Sequence, residues 1–413
     1  MINLLQGWEW KSLGEIFNIE RGGSPRPIKE FLTDKEDGIN WIKIGDIKNQ
    51  KYLYKTEEKI IQEGLKKSKL VIEGDLLVSN SMSFGKPVIV KLQKGAIHDG
   101  WLLLKEKINL NKEYFYYLFS SNFMYNFLSY QASGSTVKNL NIDKLKQIEI
   151  PLPPLKEQER IVGILDESFA KIDESIKILE QDLLNLDELM QSALQKAFNP
   201  LKDNAKENYK LPQGWEWKSL GEISNLIQNG FAASKNNEIP SGYVHLRTHN
   251  ISTDGNLNFD TLIKIKREFI KEKQSFIEKN DILFNNTNST ELVGKTALVT
   301  QNYNYAFSNH LTKIKLKNQY NSKLVVFYFV LLLKNKYFEK ICHQWIGQSG
   351  INIDKLKKIQ IPLPPLKEQE QIAEHLDFVF EKAKALKELY TKELKDYEEL
   401  KQSLLDKAFK GEL

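Results

Sequence analysis

A chain of 413 residues is too long for one ordinary core, and its 41% hydrophobic and 27% charged residues exclude disordered and fibrous classes. The single cysteine, Cys342, excludes an internal disulfide or a cysteine zinc cluster, and the longest apolar run, which contains residues 325–333, is far shorter than the about 20 residues that span a bilayer. The net charge is +5. The N-terminal sequence lacks a secretory pattern, so we expect a cytoplasmic protein without a membrane anchor.

The first 150 residues predict a mixed α/β domain. Short alternating strands are expected at residues 39–47, 70–79, 88–92, 101–105 and 147–152, with turn chemistry at Gly74–Asp75. Residues 114–130 are rich in aromatic side chains at helical spacing. A base-stacking platform needs exposed rings, so the apolar side chains of this segment are expected in the core. They are Phe115, Leu118, Phe119, Phe123 and Phe127.

A long helix is predicted over residues 155–198. The segment has no proline and one glycine, its apolar residues recur at steps of three, four and seven, and Pro153 and Pro154 precede it. Residues 366–413 repeat the pattern, and each helix would be roughly 65 Å long. A single apolar stripe of that length needs a partner, and the other helix supplies one. After the polar linker 199–210, the second helix must run back along the first, which predicts an antiparallel coiled coil with an approximate two-fold axis.

The chain is an internal duplication of a unit of about 210 residues. QGWEWKSLGEI occurs at residues 6–16 and again at 213–223, and IPLPPLKEQE at 150–159 and 361–370. The interiors differ, since WIKIGDI at 41–47 corresponds to VHLRTHNI at 244–251. When two repeats share the motifs at their ends but differ in the sequence between them, the protein has one architecture with two specificities.

Positive charge is concentrated outside the predicted helices. Residues 155–198 contain 5 basic and 10 acidic residues, and residues 366–413 contain 9 basic and 12 acidic residues. The helices therefore carry −8 and the rest of the chain carries +13. Such asymmetry is typical of a phosphate-binding surface outside the helices, although a solvated lysine-rich surface would look the same.

Polar loops are the candidate DNA-reading elements. Residues 21–27 and 79–86 in the first half, and 228–237, 247–250 and 285–288 in the second, combine side chains that pair with base edges or phosphates. Each loop alone could be an ordinary polar turn. The candidate residues of these loops and their neighbours are Arg21, Ser24, Arg26, Lys43, Asn80, Ser81, Ser83, Lys86, Lys138, Gln228, Lys235, Asn236, Arg247, His249, Asn250, Asn285, Asn286, Asn288 and Lys295.

Motifs for chemistry are weak or missing. Residues 292–300 resemble the end of a phosphate-binding loop, but Ser289 stands where glycine is required, and Pro87 replaces the required hydroxyl residue in the first repeat. His245 and His249 have zinc-ligand spacing, yet the alternation of VHLRTHNI favours a strand that points both, with Arg247, to one side. We find no motif for a nucleophile, a dinucleotide or a methyl donor, and expect no catalytic residue, cofactor or metal.

The chain resembles the specificity subunit of type I restriction–modification systems. The resemblance rests on paired PLPPLKEQE segments heading long helices, the QSLLDKAFKGEL ending and GWEWKSLGEI opening each half, and it covers essentially the whole chain. It implies that two target-recognition domains each read half of an interrupted DNA site. It further implies that spacer helices dock two adenine methyltransferase subunits, to which translocase/nuclease subunits can be added. The second half departs from the first-half pattern, with SNHL at 308–311 in place of HDGW at 98–101.

The expected fold is α+β, with two mixed α/β target-recognition domains separated by an antiparallel two-helix coiled coil. The expected boundaries are residues 1–150 and 213–361 for the domains, 151–198 and 362–413 for the spacer helices, and 199–212 for the linker. The partners expected are double-stranded DNA and methyltransferase subunits, with no membrane. The rivals are a self-contained methyltransferase or nuclease, a structural coiled-coil adaptor, and a DNA-binding protein without methyltransferase partners.

Overall fold

The computed structural model describes residues 6–47, 50–80, 85–132, 142–199, 211–270 and 276–413. The chain divides into two compact units. Unit 1 consists of Met1–Glu180 and Thr391–Leu413, and unit 2 of Gln181–Tyr390. Each unit therefore combines one globular half with a segment of each long helix.

The first half of the chain alternates short strands with short helices before one long helix. In chain order its elements are β1 (Glu9–Ser12), α1 (Leu13–Ile16), β2 (Phe17–Arg21), β3 (Ile39–Ile42), β4 (Tyr52–Leu53), β5 (Glu58–Ile60), α2 (Gln62–Leu65), β6 (Lys69–Ile72), β7 (Leu76–Ser79), β8 (Pro87–Val90), β9 (Lys94–Ile97), β10 (Trp101–Glu106), α3 (Lys112–Ser120), α4 (Asn122–Ala132), α5 (Ile142–Lys146), β11 (Glu149–Leu152) and α6 (Leu155–Phe198). Unit 1 holds a five-stranded sheet in the order β2-β10-β7-β8-β4, a four-stranded sheet β5-β3-β9-β6 and the ribbon β1-β11.

The second half follows the same plan. Its elements are β12 (Glu216–Ser219), α7 (Leu220–Ile223), β13 (Ser224–Asn229), β14 (Glu238–Leu246), β15 (Lys264–Ile265), β16 (Ile282–Asn285), β17 (Thr287–Asn288), β18 (Thr296–Leu298), β19 (Ala306–Phe307), β20 (Leu311–Leu316), α8 (Ser322–Lys334), α9 (Tyr337–Ile341), β21 (His343–Trp345), β22 (Gln348–Gly350), α10 (Ile353–Lys357), β23 (Gln360–Leu363) and α11 (Leu366–Lys410). Unit 2 holds the sheets β13-β20-β16-β18, β15-β14-β19 and β17-β22-β21 and the ribbon β12-β23.

The repeated sequence motifs build the same local structure twice. Trp10 pairs with Pro151 in one ribbon, and Trp217 pairs with Pro362 in the other. Each ribbon leads into a one-turn helix whose N-terminus has a capping box, formed by Ser12 with Glu15 in α1 and by its counterpart serine and glutamate in α7. The duplication seen in the sequence is therefore a duplication of structure.

The PLPPLKEQE motif joins each long helix to its globular half through one buried glutamine. Gln158 is 2% exposed; its side-chain oxygen accepts from the Asn111 backbone N–H at 2.9 Å and its amide donates to Pro153 O at 2.9 Å. In unit 2, Gln369 makes the same pair of bonds, to Asn321 N at 2.9 Å and Pro364 O at 2.8 Å. Burial of a side-chain amide is tolerated here because both of its ends are bonded.

Within unit 1 the two long helices run antiparallel. Ile161 and Leu165 near the start of α6 share a core with Leu405 and Phe409 near the end of α11. Lys401 forms an ion pair with Asp173 at 2.5 Å, and the Arg160 guanidinium donates to Leu413 O at 2.8 Å. Residue numbers rise along one helix as they fall along the other, which confirms antiparallel pairing in this unit.

Unit 2 shows the same arrangement with the helix segments exchanged. Leu186, Met190 and Leu194 of α6 share a core with Ala373 and Leu376 of α11. An ion pair of 2.6 Å joins Lys387 to Asp187. Most residues of the predicted apolar stripes thus lie on the buried or half-buried faces of both helices, whereas Leu386, also predicted in the stripe, is 38% exposed.

Three local predictions in the first half are wrong. The predicted strand 70–79 is interrupted at Gly74, which has positive φ, and forms two strands, β6 and β7, that belong to different sheets. The predicted strand 39–47 ends at Ile42 because residues Ile44–Asp46 form a 3₁₀ turn, whose Asp46 carboxylate accepts from Lys43 N at 2.7 Å. The aromatic segment forms two helices, α3 and α4, and Phe127 is 42% exposed. Phe115, Leu118 and Phe119 are buried as predicted, and Phe123 is partly buried.

Candidate nucleic-acid interface

Three loops of unit 1 emerge side by side at one edge of its five-stranded sheet. Strand β10 lies between β2 and β7 and is antiparallel to both, with Leu102 opposite Arg21 and Trp101 opposite Ser79. The loops that follow β2 and β7 and the turn that precedes β10 therefore leave the sheet together. We call the described residues 21–27, 43–46, 80, 85–86 and 98–100 the unit 1 loop cluster.

Asp99 accepts hydrogen bonds from residues of two other segments of the unit 1 loop cluster. Its backbone oxygen accepts from the Arg21 side chain at 2.9 Å and from the Asn80 amide at 3.4 Å, and its carboxylate accepts from the Ser24 hydroxyl at 2.5 Å. The Ser24 hydrogen bond, more than any other contact, lowers the pKa of the Asp99 carboxyl. Asp99 is therefore charged at neutral pH and holds Arg21 and Ser24 in place.

His98 connects the fourth segment. The backbone N–H groups of Ile44 and Gly100 lie 3.2 Å from His98 Nε2 and 2.6 Å from His98 Nδ1, and the single acceptor nitrogen of a neutral ring bonds one of them. Burial, more than any neighbouring charge, lowers the pKa of His98 and favours the neutral ring, which has a free acceptor nitrogen. The loop after β3 therefore lies beside the turn before β10.

Unit 2 has a corresponding group of loops at the same end of its sheet, with different side chains. We call residues 229–237, 247–250, 286–295 and 308–310 the unit 2 loop cluster. Asn286, 6% exposed, donates to Asn309 O at 3.1 Å, to the Thr312 hydroxyl at 2.9 Å and to Asn229 Oδ1 at 3.3 Å. The Thr312 hydroxyl donates in turn to Asn229 Oδ1 at 2.7 Å. Amide and hydroxyl groups therefore do here what Arg21, Asn80 and Asp99 do in unit 1.

Backbone geometry makes the two clusters equivalent. Gly22 N donates to Trp101 O at 2.9 Å, and Gly230 N donates to Leu311 O at 3.0 Å. Gly85 and Gly294 have positive φ at the end of the loop after the central strand, and their N–H groups bond Ser79 O and Asn285 O. The equivalent positions are Arg21 and Asn229, Lys43 and Arg247, Asn80 and Asn286, Lys86 and Lys295, and Asp99 and Asn309.

The comparisons with known proteins agree with the internal duplication. A family model described as the type I restriction modification DNA specificity domain matches the chain twice, over residues 6–183 and 212–395. The chain belongs to the type I restriction modification DNA specificity family. The EcoBI specificity subunit of Escherichia coli is 25% identical, over 100% of this chain and 88% of the relative. The StySPI specificity subunit of Salmonella potsdam is also 25% identical, over 99% and 90%.

Two solved structures resemble this type I specificity protein in fold. One is a chain from a study of complex assembly and conformational transition of the type I R-M system, with a TM-score of 0.79, 22% identity and full coverage of both chains. The other is the HsdS subunit from Thermoanaerobacter tengcongensis, with a TM-score of 0.60, 21% identity and coverage of 100% and 98%. At these identities the likeness is one of fold.

The predicted identity as a specificity subunit is confirmed, as is the α+β fold with its internal repeat. Its role is DNA sequence specificity, and it is a non-catalytic member of a restriction–modification complex. Among the described residues, no helix is long and apolar enough to cross a membrane. In the same part of the chain, no group of three or more His, Cys, Asp or Glu side chains is arranged to hold a metal ion.

In unit 1 the predicted DNA-contacting residues fall into exposed and anchored groups. Arg21, Arg26 and Lys86 are exposed, whereas Ser24 is half-buried and Asn80 is 1% exposed. Lys43 is half-buried and lies 3.0 Å from the Glu58 carboxylate, whose hydrogen bond raises the pKa of the lysine. Ser81, Ser83 and Lys138 lie outside the described residues.

In unit 2 a larger share of the predicted residues is buried. Lys235, Asn236 and His249 are exposed, and Gln228, Arg247 and Asn288 are half-buried. The buried group consists of Asn250, Asn285, Asn286 and Lys295. Lys295 Nζ donates to Thr248 O at 2.9 Å, and burial lowers the pKa of its ammonium group.

The predicted row of His245, Arg247 and His249 along one strand is wrong. Strand β14 ends at Leu246, and Thr248–Asn250 forms a 3₁₀ turn because the Asn250 side chain accepts from Arg247 N at 2.8 Å. His245 is fully buried, with Nε2 3.1 Å from Phe231 O. His249 alone of the three is exposed.

Sequence reasoning missed the residues that join the loops. His98, Asp99, Asn229, Asn309 and Thr312 were not predicted as site residues, although each bonds a neighbouring loop or strand. The available signal was the contrast between HDGW and SNHL at equivalent places in the two repeats. That contrast marks a position that changes between two otherwise duplicated frameworks.

His245 makes the stability of unit 2 dependent on pH. Burial, with a smaller contribution from Arg247, lowers the pKa of His245 from 6.5 to about 4. Above pH 6.5 both folded and unfolded states hold a neutral ring, and as pH falls from 6.5 to 4 the unfolded state gains a proton first. Urea unfolding of the full chain should therefore show a loss of up to about 3 kcal/mol over this window.

The pH dependence should be assigned by comparing variants, because other groups titrate in the same range. His245→Gln should show a smaller loss than the natural chain between pH 6.5 and 4. His375→Gln, which changes an exposed helix residue, should keep the natural profile. Equal pH profiles for the natural chain and His245→Gln would show that the buried ring is not the source.

Proposed function

We propose that each unit reads one half of an interrupted DNA target through its loop cluster. The observation that carries the proposal is that two clusters share backbone hydrogen bonds at equivalent glycines yet differ in side chains at equivalent positions. A shared frame places both sets of loops alike, and different side chains present different donors and acceptors to base edges. Two different half-sites are the expected product of such a duplication.

Within each cluster, exposed arginine, lysine and histidine side chains bind DNA and buried amides fix the loops. Arg21, Arg26 and Lys86 in unit 1, and Lys235 and His249 in unit 2, are exposed and able to reach phosphates or guanine edges. Burial of Asn80, Asn250, Asn285 and Asn286 supports a positioning role for these four predicted residues. We assign Lys295 to the same group, since its ammonium group is bonded to Thr248 O.

The long helices form the platform for partner subunits. They carry a net charge of −8, which opposes DNA binding, and they expose apolar side chains to solvent. In unit 2, Leu184 of α6 and Phe378 and Leu389 of α11 are 59%, 60% and 55% exposed. Exposed apolar side chains of this size favour a protein partner. We propose that adenine methyltransferase subunits dock here and that restriction subunits join through them.

Mapping methylated adenines tests the proposal. Genomic DNA from cells that express this chain with its methyltransferase subunit should carry N6-methyladenine in one interrupted, asymmetric sequence. Arg21→Ala/Arg26→Ala should reduce methylation of that sequence. For DNA binding by the purified complex, the slope of log K against log[salt] should become less steep by about 2, as expected for the loss of two phosphate contacts. Methylation by the chain without any partner would favour a self-contained enzyme, and unchanged methylation without the chain would favour an adaptor.

A further inference from the structure

The hairpin formed by β21 and β22 presents two adjacent large apolar side chains at its tip. Trp345 is 54% exposed and Ile346 is completely exposed. A two-residue turn of Ile346 and Gly347 joins the strands, and Gly347 has a φ of 83°, which glycine adopts at low cost. Single exposed apolar residues are common, but an exposed Trp-Ile pair on a projecting turn calls for a partner.

The hairpin is a firm extension of the unit 2 loop cluster. Strand β22 pairs with β17, with Gly350 opposite Thr287 and Ser349 opposite Asn288. Ile351 N donates to Asn286 O at 2.9 Å, which attaches the hairpin to the residue at the centre of that cluster. The Trp345 ring lies across Gly350, so close that a Cβ there would stand 2.8 Å from it. The hairpin is therefore attached to Asn286, which also hydrogen-bonds the proposed DNA-reading loops.

The chain around the hairpin is basic. Between residues 334 and 358 there are six lysines and two acidic residues, Glu339 and Asp354. A net charge of +4 over 25 residues is complementary to phosphates, whereas the acidic long helices would be repelled by them. An apolar tip on a basic stretch of chain has the composition of a DNA wedge, in which apolar side chains contact bases while cations contact the backbone. A two-stranded ribbon is also narrow enough to enter a groove.

We propose that the β21–β22 hairpin enters a groove of the second half-site and places Trp345 and Ile346 against a base step. This inference rests on the proposed function of unit 2 as a DNA-reading unit and adds a non-electrostatic contact to it. Partial unstacking of a flexible step would let the protein select sequence at a position that no hydrogen bond reads.

The sequence of the first repeat has no Trp-Ile pair at the corresponding position. Counting back from NIDKLK, which begins at Asn141 in the first repeat and Asn352 in the second, the first repeat has Gly134 and Ser135 where the second has Trp345 and Ile346. A change at the hairpin should therefore alter recognition of one half-site only.

The test compares variants of the full chain, in complex with its methyltransferase subunits, on a duplex carrying the methylated sequence. Ile346→Ser changes a fully exposed side chain, and Trp345→Ala/Ile346→Ser removes the whole wedge. Trp217→Ala, which changes a tryptophan 44% exposed on β12, is the matched control. Affinity is measured by fluorescence anisotropy across a salt series, with 2-aminopurine placed at successive steps of each half-site.

The double variant should bind about 10- to 100-fold more weakly, as expected for loss of a stacking contact, with an unchanged salt slope. The natural complex should increase the fluorescence of 2-aminopurine at one step of the second half-site, and the double variant should not.

Natural affinity and natural 2-aminopurine signal in both hairpin variants would overturn the wedge. Loss of the methyltransferase subunits without loss of DNA affinity would overturn it in favour of a protein contact. No sequence preference in the natural complex would overturn the proposed function itself.

Discussion

Replacing Gly22 or Gly230 by alanine should lower affinity for the DNA target by at least about 100-fold, through the half-site that the altered unit reads. A Cβ on Gly22 would stand 2.2 Å from His98 O, and a Cβ on Gly230 would stand 2.1 Å from Phe307 O. Both obstacles are backbone atoms, so no side-chain rotation relieves them, and the loop after β2 or β13 must shift. A displacement of about 1 Å in groups that contact a ligand costs on the order of 100-fold in function.

The stability of the altered unit should fall as well, by about 1–3 kcal/mol, the usual cost of overpacking. Binding to the methylated duplex and urea unfolding measure the two effects on the same protein. Gly163→Ala is the control, because nothing lies within 4 Å of its added Cβ. It should leave DNA affinity unchanged and increase stability by about 0.5–1 kcal/mol, as expected in a helix interior. Normal DNA affinity in Gly22→Ala and Gly230→Ala would show that these loops do not read the target.

The features that follow from local periodicity were predictable from the sequence. The helix predicted over residues 155–198 has those bounds in the structure, and the second begins at Leu366 as predicted. A 3.6-residue pattern sustained over 44 residues leaves little choice of structure. The repeat was equally clear, because its anchor motifs are the residues that cap and join elements, such as Ser12 and Gln158.

The candidate site was only partly predictable because its contacts join distant parts of the chain. Arg21 and Asp99 are 78 positions apart, and Asn229 and Thr312 are 83 apart. No local pattern indicates that an exposed arginine will lie beside a particular aspartate. The 3₁₀ turn at Thr248–Asn250 was missed for a similar reason, since Asn250 also donates to Asn258 O and Thr261 O at 2.9 Å. Those bonds override the strand-like alternation of the segment.

Exchanging residues 17–141 for the corresponding part of a relative with another target should replace one half of the methylated sequence and keep the other half. The exchanged segment contains β2 to β10 and therefore the whole unit 1 loop cluster. Each mismatched base pair costs about 1–3 kcal/mol, so three changed positions should be discriminated by about 100-fold or more. Sequencing of methylated adenines in cells expressing the hybrid with the methyltransferase gives the result directly. A change in both halves would contradict independent reading by the two units.

The exchange should succeed only if the donor keeps the contacts that seat the domain on α6. These are the Asn111 N–H donated to Gln158, the Tyr117 hydroxyl donated to Asp166, and the Lys51 ion pair with Asp166 at 2.7 Å. In unit 2 the equivalent aspartate, Asp377, pairs with a lysine from a different part of the fold, Lys323 of α8. Gln158→Leu is therefore the informative control. It leaves the N–H of the half-buried Asn111 without its acceptor and should destabilise unit 1 by about 1–3 kcal/mol, while the methylated sequence stays the same. Stability and sequence preference are then changed by separate residues, as expected if the loops read DNA and the glutamine only holds them on the helix.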